Sequence, residues 1–190
     1  MENGGSGNTV YDVRFAALAV RRYHAQVIDF SDAALRSLAE QAGSRLLARR
    51  QTVAAAESCT GGWLAKCLTD IPGSSQWFER GFVTYSNAAK QQALGVAAEV
   101  LERYGAVSRA TAEQMAAGTL RASEADWAVA ITGIAGPDGG SPEKPVGLVW
   151  FARAQRGGAI MALEQRFGGD REAVRRAAVA RALRLILEAP

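Results

Sequence analysis

The chain has 190 residues, 48% of them hydrophobic and 22% charged, with a formal net charge of +3. That suits one ordinary globular domain and is short for two. The small charge gives no ground for nucleic acid or a membrane surface as partner.

Two cysteines, Cys59 and Cys67, and one histidine, His24, are too few for a disulfide framework or a Cys/His metal cluster. A carboxylate-held Mg²⁺ is the metal this composition leaves open; no metal and no cofactor is expected. No run of about 18 apolar residues is present, so no transmembrane helix is expected. The N-terminus lacks the apolar core of a signal peptide, which makes the cytoplasm the default location.

Residues 1–30 read as an N-terminal extension. Met1–Asn8 is flexible by composition, with little to bury against its ordering entropy. Val10–Ile28 is partly apolar and fits a strand, a short helix or a segment outside the fold. The domain is expected over 31–190. Ser31 or Asp32 caps a helix whose Leu35, Leu38, Ala39, Ala42, Leu46 and Leu47 recur at helical spacing. Thr52–Ala56 is a buried strand, followed by Thr60 capping a helix through Trp63, Leu64 and Leu68. Pro72–Ser75 is a turn. Phe78–Tyr85 is a strand, and Ser86 or Asn87 starts a helix toward Leu94. Ala97–Tyr104 is a helix ended by Gly105, and Ser108 caps another to about Ser123. Trp127–Thr132 is the clearest buried strand, and it runs into the glycine-rich loop Gly133–Gly140. Val146–Ala154 and Ala159–Phe167 form a hairpin about Arg156-Gly157-Gly158. Asp170 caps a last helix to Leu187, whose arginines between Arg171 and Arg184 read as a solvated face. Strands alternating with helices, then a hairpin, predict a single α/β domain, a three-layer α/β/α sandwich with a mixed sheet.

Three loops follow three of these strands, where open α/β sheets place their ligands. The first is Glu57-Ser58-Cys59-Thr60-Gly61-Gly62. It turns from strand into helix, and the N–H groups at a helix start suit a phosphate or an oxyanion. Ser58 is then either an N-cap or a nucleophile. Cys59 is either a rival nucleophile or a buried structural thiol. A serine nucleophile needs a base. His24 lies in the extension, so a Ser-His-Asp triad is not expected. The lysines are Lys66, Lys90 and Lys144 alone. Lys90, five residues after Tyr85, is either a base facing the crevice or an exposed helical lysine. The third loop holds four glycines in eight residues. It is either a phosphate cradle or a flexible turn, and it matches neither a P-loop nor a dinucleotide fingerprint.

Taken together, Ala56–Gly62, Gly81–Asn87 and Thr132–Gly140 resemble the three signature segments of the CinA C-terminal domain family. Lys144-Pro145-Val146-Gly147 and Gly168-Gly169-Asp170-Arg171 resemble two more, although the family often has another residue before its Gly-Asp-Arg. The resemblance spans Asp32–Leu187. It implies hydrolysis of the amide of nicotinamide mononucleotide (NMN) to nicotinate mononucleotide and ammonia, the reaction of the stand-alone members. The molybdopterin-binding-like domain of two-domain members is not in this sequence. On this resemblance Ser58 is the nucleophile, forming a nicotinoyl ester, Lys90 the base, and Tyr85 its orienting or relaying partner. Thr132, with N–H groups near Gly133 or Thr60, holds the amide or the oxyanion. Thr60, Gly61, Gly62, Asn87, Gly133, Gly136 and Arg171 bind substrate, with Arg171 and the amides around Gly136 facing the phosphate. A homo-oligomer, most simply a dimer, is expected. The rival reading is a nucleotide-binding or regulatory module without hydrolysis.

Overall fold

The computed structural model describes residues 29–189. The extension expected over 1–28, with His24 and the Val10–Ile28 segment, lies outside the described residues. Helix α1 (Asp32–Arg49) begins where the Ser31 hydroxyl accepts from the Ala34 N–H, and it ends at Arg50 in the left-handed region. Strand β1 (Val53–Glu57), helix α2 (Trp63–Thr69) and strand β2 (Phe78–Val83) follow. Three helices come next: α3 (Asn87–Leu94), α4 (Ala98–Tyr104) and α5 (Arg109–Arg121). Strands β3 (Trp127–Gly133), β4 (Leu148–Gln155) and β5 (Ile160–Arg166) precede the last helix, α6 (Arg171–Leu187). Ser86, Ser108 and Asp170 cap α3, α5 and α6 through their side chains, as the sequence predicts. No described helix is long and apolar enough to cross a membrane.

The sheet order is β2-β1-β3-β4-β5. The first three strands are parallel, and β4 and β5 add an antiparallel hairpin. This is the expected mixed sheet, covered by α1, α2 and α6 on one face and by α3, α4 and α5 on the other.

The two faces are built from different residues. Successive side chains of a strand point to opposite sides. Val53, Ala55, Val129, Ile131, Val149 and Phe151 fill the side under α1, α2 and α6. Ala56, Ala128, Ala130, Ala152 and Ala154 form the other side. Small side chains there let α5 lie close to the sheet, with Met115 filling the gap. The closeness extends to the neighbouring helix. A Cβ added to Gly118 of α5 would stand 2.0 Å from the carbonyl oxygen of Leu94, at the end of α3.

Gly118→Ala must therefore push α3 and α5 apart. Its cost is expected to be about 2 kcal/mol or more, seen as a drop of several degrees in Tm.

Candidate active site

Strand β1 delivers two consecutive polar residues to opposite faces of the sheet, and the period of two decides which goes where. Glu57 falls on the face of Val53 and Ala55. It is 1% exposed. Its carboxylate accepts from the N–H groups of Gly62 (3.1 Å), Leu64 (3.0 Å) and Ala65 (2.8 Å). Glu57 is thus the cap of α2, and its charge sits where the helix dipole favours an anion. This corrects two expectations. Thr60 is not the cap: Gly62 occupies that position without a side-chain bond, and the buried Thr60 hydroxyl has no partner among the described residues. Nor does the start of α2 offer free N–H groups to a substrate anion, because Glu57 takes three of them.

Ser58 falls on the opposite face, with Ala54 and Ala56, and its N–H extends the ladder to the Ile131 carbonyl. There it meets Lys90. Helix α3 starts at Ser86, whose hydroxyl accepts from the Ala89 N–H. One turn on, Lys90 points inward and is 1% exposed. Its Nζ donates to Ser58 Oγ at 2.9 Å and to the Thr84 carbonyl at 2.8 Å, with the Tyr85 carbonyl at 3.5 Å. No carboxylate is among these partners. Burial pulls the Lys90 pKa below that of a free lysine, because the charged form loses its hydration. Lys90 is therefore not the exposed helical lysine, and its neutral form is a base already bonded to a hydroxyl. Cys59 is the opposite case. Its thiol packs in the core, and burial, with Glu57 nearby, pushes its pKa up to about 12. A thiol so protonated is a poor nucleophile.

The crevice over Ser58 and Lys90 holds about 260 Å³. Tyr85, Thr132, Gly133, Gly136 and Arg171 also line it. Thr132 continues the alanine face of β3 and donates its hydroxyl proton to the Ala106 carbonyl at 2.8 Å. Its oxygen remains an acceptor toward the crevice. Arg171 reaches from the first turn of α6 to the Gly136 carbonyl (2.7 Å) and the Tyr85 hydroxyl (2.9 Å). So Tyr85 lies at the crevice, but its hydroxyl bonds to Arg171 and not to Lys90. The left-handed Gly136 lies so close to Val146 that a Cβ there would strike its side chain at 2.6 Å.

Four expected substrate residues stand apart. Thr60 is fully buried. Asn87 is exposed on the first turn of α3 and does not line the crevice. Gly61 and Gly62 line a different hollow, of about 380 Å³, beside Trp63. That hollow also touches Arg175, which sequence reasoning assigned to a solvated face. Arg175 donates to the carbonyls of Cys59 (3.1 Å) and Thr60 (2.8 Å). Its spacing of four from Arg171 puts both arginines on one face of α6, and that was the available signal. Among the described residues no cluster of three or more His, Cys, Asp or Glu is placed to hold a metal ion.

Comparison with known proteins gives the following. The model of the CinA C-terminal domain family matches residues 35–189. The nicotinamide-nucleotide amidohydrolase PncC of Escherichia coli K12 is 58% identical over 156 residues, covering 82% of this chain and 94% of that protein. PncC of Pseudomonas putida is 49% identical over 152 residues, covering 80% and 94%. The crystal structure of the competence/damage inducible protein CihA from Agrobacterium tumefaciens superposes with a TM-score of 0.79 at 49% identity, covering 81% and 94%.

The lowered pKa of Lys90 has a consequence for stability. A lysine whose folded pKa lies below its unfolded value, near 10.5, weakens folding at neutral pH. Stability is recovered as pH rises through the window between the two values. Lys90→Met is expected to raise Tm near pH 7 by the equivalent of about 1 kcal/mol. The gain should shrink toward pH 10. Thermal melts across that range test it, and a lower Tm at pH 7 refutes it.

Proposed function

The chain belongs to the CinA C-terminal domain family, and on that footing we propose that it hydrolyses the amide of NMN, releasing nicotinate mononucleotide and ammonia. Two things support the reading. Relatives at 49% and 58% identity, matched over 94% of their length, are named nicotinamide-nucleotide amidohydrolases. The observation that carries the chemistry is the 2.9 Å bond between Lys90 Nζ and Ser58 Oγ.

Neutral Lys90 takes the Ser58 proton as Oγ attacks the amide carbon. The tetrahedral oxyanion is held by N–H groups of the crevice, near Gly133 or in the turn after Ser58. Lys90, now an ammonium, passes its proton to the amide nitrogen. The C–N bond breaks and ammonia leaves, with the nicotinoyl group as an ester on Ser58. Water enters, gives a proton to Lys90 and attacks the ester; Oγ departs and recovers the proton. One buried amine thus serves as base and acid in turn, and no histidine is needed. Thr84 and Tyr85 carbonyls hold Nζ in line through the cycle. Arg171, exposed at the crevice mouth and braced by Gly136 and Tyr85, is the cation for the substrate phosphate. The Tyr85 hydroxyl acts through Arg171 at that mouth. The reading carries with it a cytoplasmic location and a homodimer, the commonest closed assembly.

Ser58→Ala is expected to cut ammonia release from NMN by at least about 10³-fold while the protein still folds. Ammonia assays over NMN, nicotinamide riboside, nicotinamide and NAD should show turnover of NMN and little of the unphosphorylated amides. A binding module without hydrolysis would give NMN affinity and no ammonia from the wild type. The pH profile of kcat/KM is a separate check. Activity should rise with pH through one ionisation below the ordinary lysine value of 10.5, because only the neutral amine accepts the proton. That limb should vanish in Lys90→Met. A profile flat to pH 10 would remove Lys90 from the role of base.

A further inference from the structure

The turn after Ser58 is held from behind. It is closed by the Gly61 N–H donating to the Ser58 carbonyl at 3.0 Å. Its two middle carbonyls, of Cys59 and Thr60, both point to the guanidinium of Arg175, at 3.1 and 2.8 Å. The guanidinium is itself fixed. It stacks over the Trp63 ring, 5.0 Å from the centroid, and Arg176 lies 4.9 Å from the same ring. A Cβ on Gly61 would stand 3.5 Å from Arg175 Nη2, so the turn approaches the guanidinium closely with its backbone.

A trans peptide sets its C=O and N–H in opposite directions. The Cys59–Thr60 bond is trans, the sole cis peptide among the described residues being Gly136–Pro137. Holding the Cys59 carbonyl toward α6 therefore fixes the plane of the peptide that follows Cys59, one residue from the nucleophile. Arg175 does not line the crevice over Ser58 and Lys90. Among the described residues its hydrogen bonds go only to the backbone that carries the nucleophile.

We propose that Arg175 is a positioning residue for the hydrolysis: by holding the Cys59 and Thr60 carbonyls it fixes the turn that sets Ser58 Oγ against Lys90 Nζ. The proposal rests on the serine–lysine reading above. It differs from a packing role in what it predicts. Alignment of the nucleophile matters in the transition state and not for bound substrate. Loss of its orientation lowers kcat and leaves KM nearly unchanged. The Lys90 ionisation, set by burial on the far side of the turn, stays where it was.

The test compares Arg175→Met and Arg175→Lys with the wild type. NMN turnover is followed across pH, and the rate at which a fluorophosphonate labels Ser58 is measured by mass spectrometry. The phosphonate reports the alignment of the nucleophile without any need for NMN. For Arg175→Met, kcat should fall about 100-fold, with KM within threefold and the pH midpoint unmoved. Labelling should slow in parallel. Arg175→Lys keeps the charge and the stem over Trp63 but loses the two-pronged fork, and it should lose about tenfold. This variant carries the test if Arg175→Met does not fold. Turnover within threefold of wild type in a folded variant overturns the proposal. So does a raised KM at constant kcat, which would put Arg175 against the substrate. If the wild type labels at Ser58 yet does not act on NMN, the substrate reading fails, and the slower labelling of the variants still supports Arg175. If the wild type neither labels nor turns over, both readings fall together.

Discussion

A lysine with 1% of its surface exposed and no carboxylate partner is expensive to fold. Lys90 meets that condition, and much of the local structure exists to tolerate it. Its ammonium is satisfied by one hydroxyl and the carbonyls of Thr84 and Tyr85. Carbonyls supply hydrogen bonds without a full negative charge. They hold the amine in place yet leave its neutral form accessible, where a carboxylate would have locked the proton on. The absence of an ion pair is thus the feature that makes a base of the lysine.

The loops around it are fixed by the same economy of means. Arg171 and Arg175, one turn apart at the start of α6, hold the carbonyls of Gly136, Cys59 and Thr60. They brace the loops after β3 and β1 from a single helix. Backbone acceptors bound in this way keep loops rigid without using side chains that would fill the crevice. Glycine-rich composition then ceases to mean flexibility. Gly136 is held through its carbonyl by Arg171, and Gly61 lies close to the Arg175 guanidinium.

The sequence exposed the fold because its signals were local. Ser31, Ser86, Ser108 and Asp170 sit at helix starts, and Trp127–Thr132 is an unbroken apolar strand that no exposed element would tolerate. The three strand-end loops were legible as a site for the same reason: strands of a parallel sheet end on one edge. The harder residues are those whose role depends on direction. Thr60 has the chemistry of a cap, but Glu57 reaches the α2 N–H groups first, from the end of β1. Arg175 read as surface because an arginine on an amphipathic helix normally is. Its carbonyl acceptors belong to a turn 115 residues earlier, beyond any local pattern.

The separation of Glu57 from Ser58 shows how little is needed to build the site. One residue apart on β1, they differ in face, and so in fate. Glu57 joins the large-residue side and neutralises the start of α2. Ser58 joins the side of Ala56 and Ala130, where it meets Lys90. Had the strand slipped by one residue, the carboxylate would face the amine and form a buried ion pair, and the serine would cap the helix. The register of β1, fixed by pairing Glu57 with Ile131 on one side and Val83 on the other, keeps acid and base on opposite sides of the sheet. The same alanine face that brings α5 close to the sheet therefore also keeps the lysine unpaired, and core packing and chemistry are set by one alternation.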